Sequence, residues 1–499
     1  MEIQFQENKI PCLYPLKTQT QSQEQTQELR LGDGAGDVGR ILGVWGQVVT
    51  RGKEWQNDWA GVNCGVMVWV LYAPEDGGQA QCVESWIPVS FRWDIPEQDK
   101  DGTILCQCNL RSVDARVLSG RKMMLRATVC ATAQMLAEGD SVSYTPNDVP
   151  ADVQLLERTY PVCLAREAGE KAFIFDEELT LPPSAPAAEK AVRWELQMQV
   201  NDQKVLSDKA VFRGNGVLHM LYRTQEGALA SWDFEIPFSQ YAELEHAYGH
   251  GAQVQVVPLV TALETELAEQ GRVRLKAGLS GQYVIYDTQD ITAVEDAFSP
   301  DREVQINTQS VTLPAVTDRQ SQTLRAEQTI PYGSSRVADV AFYPGCPRVQ
   351  HRGAEVTVEL PGQFQSLYYD NEGVLQSAVA QWQWENTQML GEDQNMTLWC
   401  SAVGKPQASS TGETTAMQAE CLLTAVTAAQ QQIPMVTGLS LGESRPKDPA
   451  RPSLILQRAG RDGLWNIAKQ NGSTVEAIAQ ANDLQDEPAP DRILLIPIL

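Results

Sequence analysis

Three stretches decide how this chain is read: GVMVWVLYAPEDGGQAQCVESWIPVSF at 65–91, GVLHMLYRTQEGALASWDFEIPFSQ at 216–240 and GQFQSLYYDNEGVLQSAVAQWQWEN at 362–386. In each, an apolar run ends on a Leu-Tyr pair, a polar turn containing glycine follows (Gly77-Gly78, Gly227, Gly373), and a second alternating or aromatic run begins. That order is the signature of a β-hairpin. The pairs stand at 71-72, 221-222 and 367-368, so the spacings are 221 − 71 = 150 and 367 − 221 = 146 residues. A period of that size is a domain repeated three times rather than a short solenoid unit.

The register extends in both directions. Glu28-Leu29-Arg30-Leu31 corresponds to Glu178-Leu179-Thr180-Leu181, with Glu327-Gln328-Thr329-Ile330 as a looser third copy, and Gly120-Arg121 with Leu125-Arg126-Ala127 corresponds to Gly271-Arg272 with Leu275-Lys276-Ala277. Val, Thr, Tyr and Trp fill the runs, and turn residues such as Asp101-Gly102 and Glu372-Gly373 separate them. Each repeat therefore reads as a strand arm, a spacer and a small antiparallel β domain. The expected fold is mainly β, with three tandem antiparallel β-sandwich-like repeats at 1–150, 151–310 and 311–443. Residues 264–270 are where a short helix competes with strand.

One spacer, Gly34-Ala35-Gly36-Asp37-Val38-Gly39, matches the dinucleotide pattern G-x-G-x-x-G. A phosphate cradle needs those glycines between a buried strand and a helix N-terminus. Here a polar Gln/Thr-rich stretch precedes and the strand-like Ile41 to Val49 follows, while the second repeat carries Pro182-Pro183-Ser184-Ala185-Pro186 at the same place. The stretch reads as a linker between strands.

Around 444–452 the chain turns charged and proline-rich, an exposed linker, and a different module occupies 453–499. Leu454 to Gln457 reads as a strand. Asp462 can cap a helix carrying Leu464, Ile467 and Ala468, which Gly472 ends; Ser473 with Glu476 forms a capping box for a second helix burying Val475, Ile478 and Ala479. Ile493 to Ile498 returns as a strand, so the order is βααβ.

The 499 residues carry 39 basic and 64 acidic side chains, a net charge of −25, which disfavours nucleic acid and anionic membrane surfaces. No apolar run approaches the length of a membrane span, and the N-terminus lacks the basic and apolar regions of a secretion signal. Ten cysteines occur without a C-x-x-C pair, which reads as buried reduced thiols ahead of disulfides and against a zinc ribbon. Glu245-His246-Ala247-Tyr248-Gly249-His250 has its glutamate before the histidines and a glycine between them, so an exposed loop is the better reading than a zincin helix. His219 alternates within a strand as a packed side chain, and no nucleophile elbow is present. The aromatic residues of the repeats, among them Trp45, Trp69, Tyr72, Trp382 and Trp384, read mostly as core, some as partner-facing. No catalytic residue, cofactor or metal is expected.

Two resemblances add to this reading. Asp462-Gly463-Leu464-Trp465-Asn466-Ile467-Ala468, Ser473-Thr474-Val475-Glu476, Ala481-Asn482-Asp483-Leu484 and Ile493-Leu494-Leu495-Ile496-Pro497 resemble a LysM domain, although Arg461-Asp462-Gly463 stands where that family usually has Gly-Asp-Thr. The resemblance implies a shallow groove between the loop before the first helix and the loop after the second, with Gly460, Asp462, Gly463, Leu464, Trp465, Asn482 and Leu484 as binding residues for an N-acetylglucosamine-containing glycan or a protein. Asp37 to Ile41, the Gly-Val and Leu-Tyr hairpin at 65–72, Ile87-Pro88 and Ala115-Arg116-Val117-Leu118-Ser119-Gly120-Arg121-Lys122 resemble the SPOCS (DUF3794) domain of clostridial sporulation proteins. SPOCS repeats followed by one LysM domain resemble the SipL-like family of spore coat morphogenetic proteins. This implies a non-enzymatic adaptor in the mother-cell cytoplasm, docked at the forespore surface to a SpoIVA-like coat-basement ATPase and to other coat proteins. The alternative is a LysM protein of peptidoglycan or chitin-type glycan.

Overall fold

The computed structural model describes residues 1–96, 101–331, 336–391, 393–411, 413–444, 452–459, 463–485 and 491–499. Its first repeat contains β1 (Glu2–Arg30), β2 (Val38–Trp55), β3 (Trp59–Pro74), β4 (Gln81–Asp94), β5 (Gly102–Ser119) and β6 (Lys122–Pro146). The middle three form a meander, β2-β3-β4, while β1 returns to pair with β6, which also carries β5. The result is two antiparallel three-stranded sheets face to face. The second repeat copies this plan with β7 (Gln154–Thr180), β8 (Ala188–Leu206), β9 (Lys209–Thr224), β10 (Leu229–Glu243), β11 (Gln253–Leu267) and β12 (Arg272–Phe298). The third uses β13 (Arg302–Ile330), β14 (Arg336–Pro344), β15 (Arg348–Arg352), β16 (Glu355–Tyr369), β17 (Leu375–Met389), β18 (Gln394–Ser410) and β19 (Thr415–Ser444). Its second strand is broken in two, and both pieces pair with β16.

The hairpins read from the sequence are present as β3-β4, β9-β10 and β16-β17, and Gly77, Gly227 and Gly373 all turn with φ near +80°. A β-carbon is unfavourable at that conformation, which is why glycine recurs there. Val38 to Gly39 begin β2, so the G-x-G-x-x-G stretch joins two strands. Residues 264–267 belong to β11, and only Glu269–Gly271 form a short 3-10 turn. The arm that opens each repeat is a single strand of 27–29 residues, and β13 runs from Arg302 through residues 310 and 311 without a break.

Those long arms hold the molecule together. β6 shows strict alternation at its start, with Met123, Leu125, Ala127 and Val129 inward, and then is buried on both faces through 130–137. β12 repeats the change, alternating from Val273 and then buried on both faces from Leu279 to Tyr286. One face of each ribbon covers its own sandwich. The other meets the neighbouring repeats, since Cys12, Val162 and Val311, equivalent positions of the three first strands, share one apolar cluster with Leu164, Leu313, Ile433 and Met435. A second shared cluster joins Leu13, Leu136, Val257, Tyr286, Trp399 and Val426. At roughly 25 cal/mol per Å² of apolar surface, such clusters are the main stabilising term between repeats.

The meander sheets close a ring around the same axis. An arginine of each repeat donates to a carbonyl at the start of the neighbour's hairpin return: Arg223 to Ala80 O at 2.9 Å, Arg336 to Leu229 O, and Arg40 to Leu375 O at 2.9 Å. Buried amides complete backbone pairing across the joints. Gln282 donates to Cys106 O at 2.7 Å and accepts from Cys106 N at 3.0 Å, and Gln107 accepts from Cys400 N at 2.8 Å. Burying those peptide groups without partners would be costly. All ten cysteines are free thiols, and seven of them are buried.

Between repeats 2 and 3 lies a buried charge network that the sequence did not announce. Asp339 on β14 accepts from Arg193 at 2.9 Å and lies 3.0 Å from His219 Nε2, while His219 Nδ1 is 2.5 Å from Asp233, which Lys405 also reaches. Burial by itself would lower the imidazole pKa, but Asp339 and Asp233 outweigh it and raise it against the opposition of Arg193. Burial would raise the carboxyl of Asp233; His219 and Lys405 instead pull it down to about 2. Arg193 and Asp339 are nearly inaccessible, so this joint depends on complete pairing.

Two outcomes are expected. Asp339→Asn leaves buried Arg193 and His219 short of their shared counter-charge and should cost about 3–5 kcal/mol in denaturant unfolding. His219, with its folded pKa above the ordinary 6.5, contributes stability that is full below that value and lost as pH rises through the folded pKa. Melting curves from pH 6 to 9 should therefore show an alkaline loss in the parent chain that is absent from His219→Gln.

Candidate functional site in the C-terminal domain

The C-terminal domain is built from β20 (Leu454–Arg458), α1 (Gly463–Asn471), α2 (Val475–Ala481) and β21 (Ile493–Pro497), the expected βααβ order, with β20 and β21 antiparallel. Leu464, Ile467 and Ala468 recur at helical spacing on α1 and pack with Ile478, Leu494 and Ile496. Gly472, at φ +62°, ends α1, and Ser473 N donates to Ala468 O at 3.0 Å. The cap of α2 is one residue later than the sequence suggests: Thr474 is extended and its hydroxyl accepts from Ala477 N at 3.1 Å, while Ser473 is buried. The helix starts at Val475, so only Thr474 has the extended backbone that lets a side chain reach back to the first turn.

The expected binding residues do not form one exposed group. Gly460 and Asp462 lie outside the described residues, as does most of the linker at 444–452. Gly463 enters α1 at φ +66°. Leu464 is 5% exposed and lies in the domain core, because its spacing to Ile467 and Ala468 turns it away from solvent. Leu484 is half-buried against the same core. Asn482 acts as a brace, its amide donating to Leu495 O at 2.6 Å and Ile478 O at 2.8 Å while its oxygen accepts from Leu495 N at 2.7 Å. It thereby serves as a strand neighbour for β21.

Trp465 points at the second repeat. Its indole N–H donates to Asp296 at 2.8 Å, its ring meets Phe298 edge to face at 4.7 Å, and Lys469, one turn further along α1, reaches the same carboxylate at 2.7 Å. The tail domain is thus seated on the end of β12, and Phe298 belongs to its apolar core. An aromatic side chain that family resemblance places at a binding groove is here part of an intrachain joint.

What the domain does expose is apolar. Leu454, Leu456, Ile493 and Leu495 are 49%, 67%, 58% and 37% exposed and share the outer face of the two-stranded sheet, with Leu456 opposite Leu495 and Leu454 opposite Pro497. The signal was in the sequence. In a two-stranded sheet covered by helices on one side, continuous apolar runs such as Leu454-Ile455-Leu456 and Ile493-Leu494-Leu495-Ile496 must turn alternate members to solvent. A contiguous exposed apolar face of this kind marks an interaction surface.

Among the described residues no group of three or more His, Cys, Asp or Glu is placed to hold a metal ion, and no helix is long and apolar enough to cross a membrane. His246 and His250 lie exposed in the loop between β10 and β11. The arrangement in the tail supports contact through shape and apolar burial, with the helices and Asn482 keeping the sheet rigid. Asn482→Ala is expected to raise hydrogen exchange at Leu495 and its neighbours in β21, by about 1–3 kcal/mol of lost protection, and to leave exchange in the three repeats unchanged.

Neither curated proteins nor solved structures provide a match to the chain. Residues 461–497 match the LysM domain family, a match that covers the two helices and β21 and supports a glycan-binding or protein-interaction role for the tail.

Proposed function

We propose that the protein is a non-enzymatic morphogenetic adaptor whose LysM domain docks a protein. The exposed apolar sheet face of Leu454, Leu456, Ile493 and Leu495 carries this reading, because a solvated glycan is recognised mainly by hydroxyl-directed hydrogen bonds and aromatic stacking, whereas a row of aliphatic side chains suits a protein surface. Trp465, the aromatic ring best placed for a sugar, is engaged with Asp296 and Phe298, and the threonine usual in the family's first loop is replaced in Arg461-Asp462-Gly463. The resemblance of the repeats to SPOCS domains supports the finer statement: a SipL-like coat protein of the mother-cell cytoplasm, held at the forespore surface by a SpoIVA-like coat-basement ATPase, with the ring of repeats meeting further coat proteins.

The second reading, recognition of peptidoglycan or chitin-type glycan, follows from the LysM match itself. The two separate in one experiment on the full chain. Binding to a purified coat-basement ATPase and retention by purified sacculi are measured in parallel for the parent and for Leu456→Glu/Leu495→Glu, whose substituted positions are exposed and leave the core untouched. The adaptor reading expects ATPase binding weakened at least about tenfold, or about 1.4 kcal/mol, with no sacculus retention in either protein. Sacculus retention competed by chitin oligomers and indifferent to the double substitution overturns it in favour of glycan recognition.

A further inference from the structure

The three repeats are alike in strand plan, and they differ most where repeat 3 meets repeat 1. There the second strand of repeat 3 is broken at Gly345-Cys346-Pro347, beside the bulge between Pro15 and Lys17 that the first strand of repeat 1 shares with its counterparts at Ala165/Glu167 and Val316/Asp318. Between them opens a cleft of about 680 Å³, within the range of ligand-binding clefts.

The cleft is lined by consecutive residues, 15–20 of β1, 347–351 at β15 and 395–398 of β18. Side chains of a strand point alternately to opposite faces, so a consecutive run can line one space only if the main-chain edge of the strand faces it. The pairings agree. β1 has β6 along one edge from Phe5 to Arg30, and on its other edge, among the described residues, only Glu2, Ile3 and Gln4 are paired, with β19. β15 pairs with β16 alone and β18 with β19 alone. Three unpaired edges therefore offer N–H and C=O groups to one space.

Charge narrows the occupant. In a chain with 64 acidic residues, none of the residues lining this cleft is Asp or Glu. Its charged side chains are Lys17 and Arg348, with His351 beside them, and neither Lys17 nor Arg348 is paired with a carboxylate among the described residues. Lys17 donates to the carbonyl of Asp94 at 2.9 Å. The floor is apolar where Leu13, Leu136 and Tyr286 of the shared cluster reach it, and the walls carry hydroxyls such as Thr18 and Thr397, which touch each other at 3.1 Å.

We infer that this cleft binds an extended acidic peptide segment of a partner protein, which adds as a strand to the free edge of β1. Main-chain bonds to β1 supply affinity, alternate side chains fall toward the apolar floor, and carboxylates on the opposite face meet Lys17 and Arg348. This site lies in the repeats and does not depend on the reading of the LysM domain.

The test uses the full chain and a fluorescein-labelled acetylated heptapeptide of alternating glutamate and valine. Saturable binding is expected, weakened at least tenfold by Lys17→Glu/Arg348→Glu, abolished when alternate peptide nitrogens are methylated, and accompanied by slowed hydrogen exchange at residues 15–20. Both substitutions lie at the rim, and an unchanged melting curve checks the fold. Absence of binding at millimolar peptide, binding indifferent to the charge reversals, or protection elsewhere overturns the inference. So does concentration-dependent protection of 15–20 without peptide, which would assign the edge to a second copy of the chain. Equal binding of decanoate with loss of peptide competition would make the cleft a small-anion pocket and overturn it as well.

Discussion

The antiparallel ladder that joins the first strand of each repeat to its last is the constraint on which the remaining structure rests. Arg30 opposite Lys122, Thr180 opposite Arg272 and Ile330 opposite Thr415 begin three ribbons of similar length. Such pairing has a high loop-closure cost because about ninety residues intervene, and it persists only because the ribbon is then buried on both faces. The meander sheets cover one face and the neighbouring ribbons the other. A repeat taken alone would leave Cys12, Leu164 or Leu313 in water, so the three sandwiches are stable as a set.

Polar groups follow from that closure. Buried faces contain peptide groups and side chains whose water has been removed, and the structure replaces it with side-chain amides, arginines on carbonyls and the Asp339 network. These contacts add direction rather than much net energy, since each exchanges a bond to water for one within the protein. They fix which face of each repeat meets which neighbour. The broken strand of repeat 3 departs from threefold likeness, and it falls at the joint with repeat 1 where the recess opens.

The LysM domain is attached to this body by a side chain that could otherwise have been a recognition element. With Trp465 and Lys469 on Asp296, the outward face of the domain becomes its sheet rather than its helical loops. Orientation in the whole chain thus changes which surface is available, even though the domain's own fold is that of its family.

Much of the architecture was legible in the sequence. Turn glycines at 77, 227 and 373, the Leu-Tyr runs and the echo of Glu28-Leu29-Arg30-Leu31 at 178–181 determined three copies of one β unit, because backbone sterics and period-two patterning act locally. The spacing of Leu464, Ile467 and Ala468 determined the helical tail for the same reason. Contacts between distant strands leave no such mark. His219 reads as an ordinary strand residue until Asp233 and Asp339 stand on either side of it, and Trp465 reads as core or binding surface until folding sends it to Asp296. The ring, the unpaired edge of β1 and the seat of Trp465 on Asp296 were decided by tertiary structure alone, since each depends on which distant groups are brought together and which remain without a neighbour after the others have been paired.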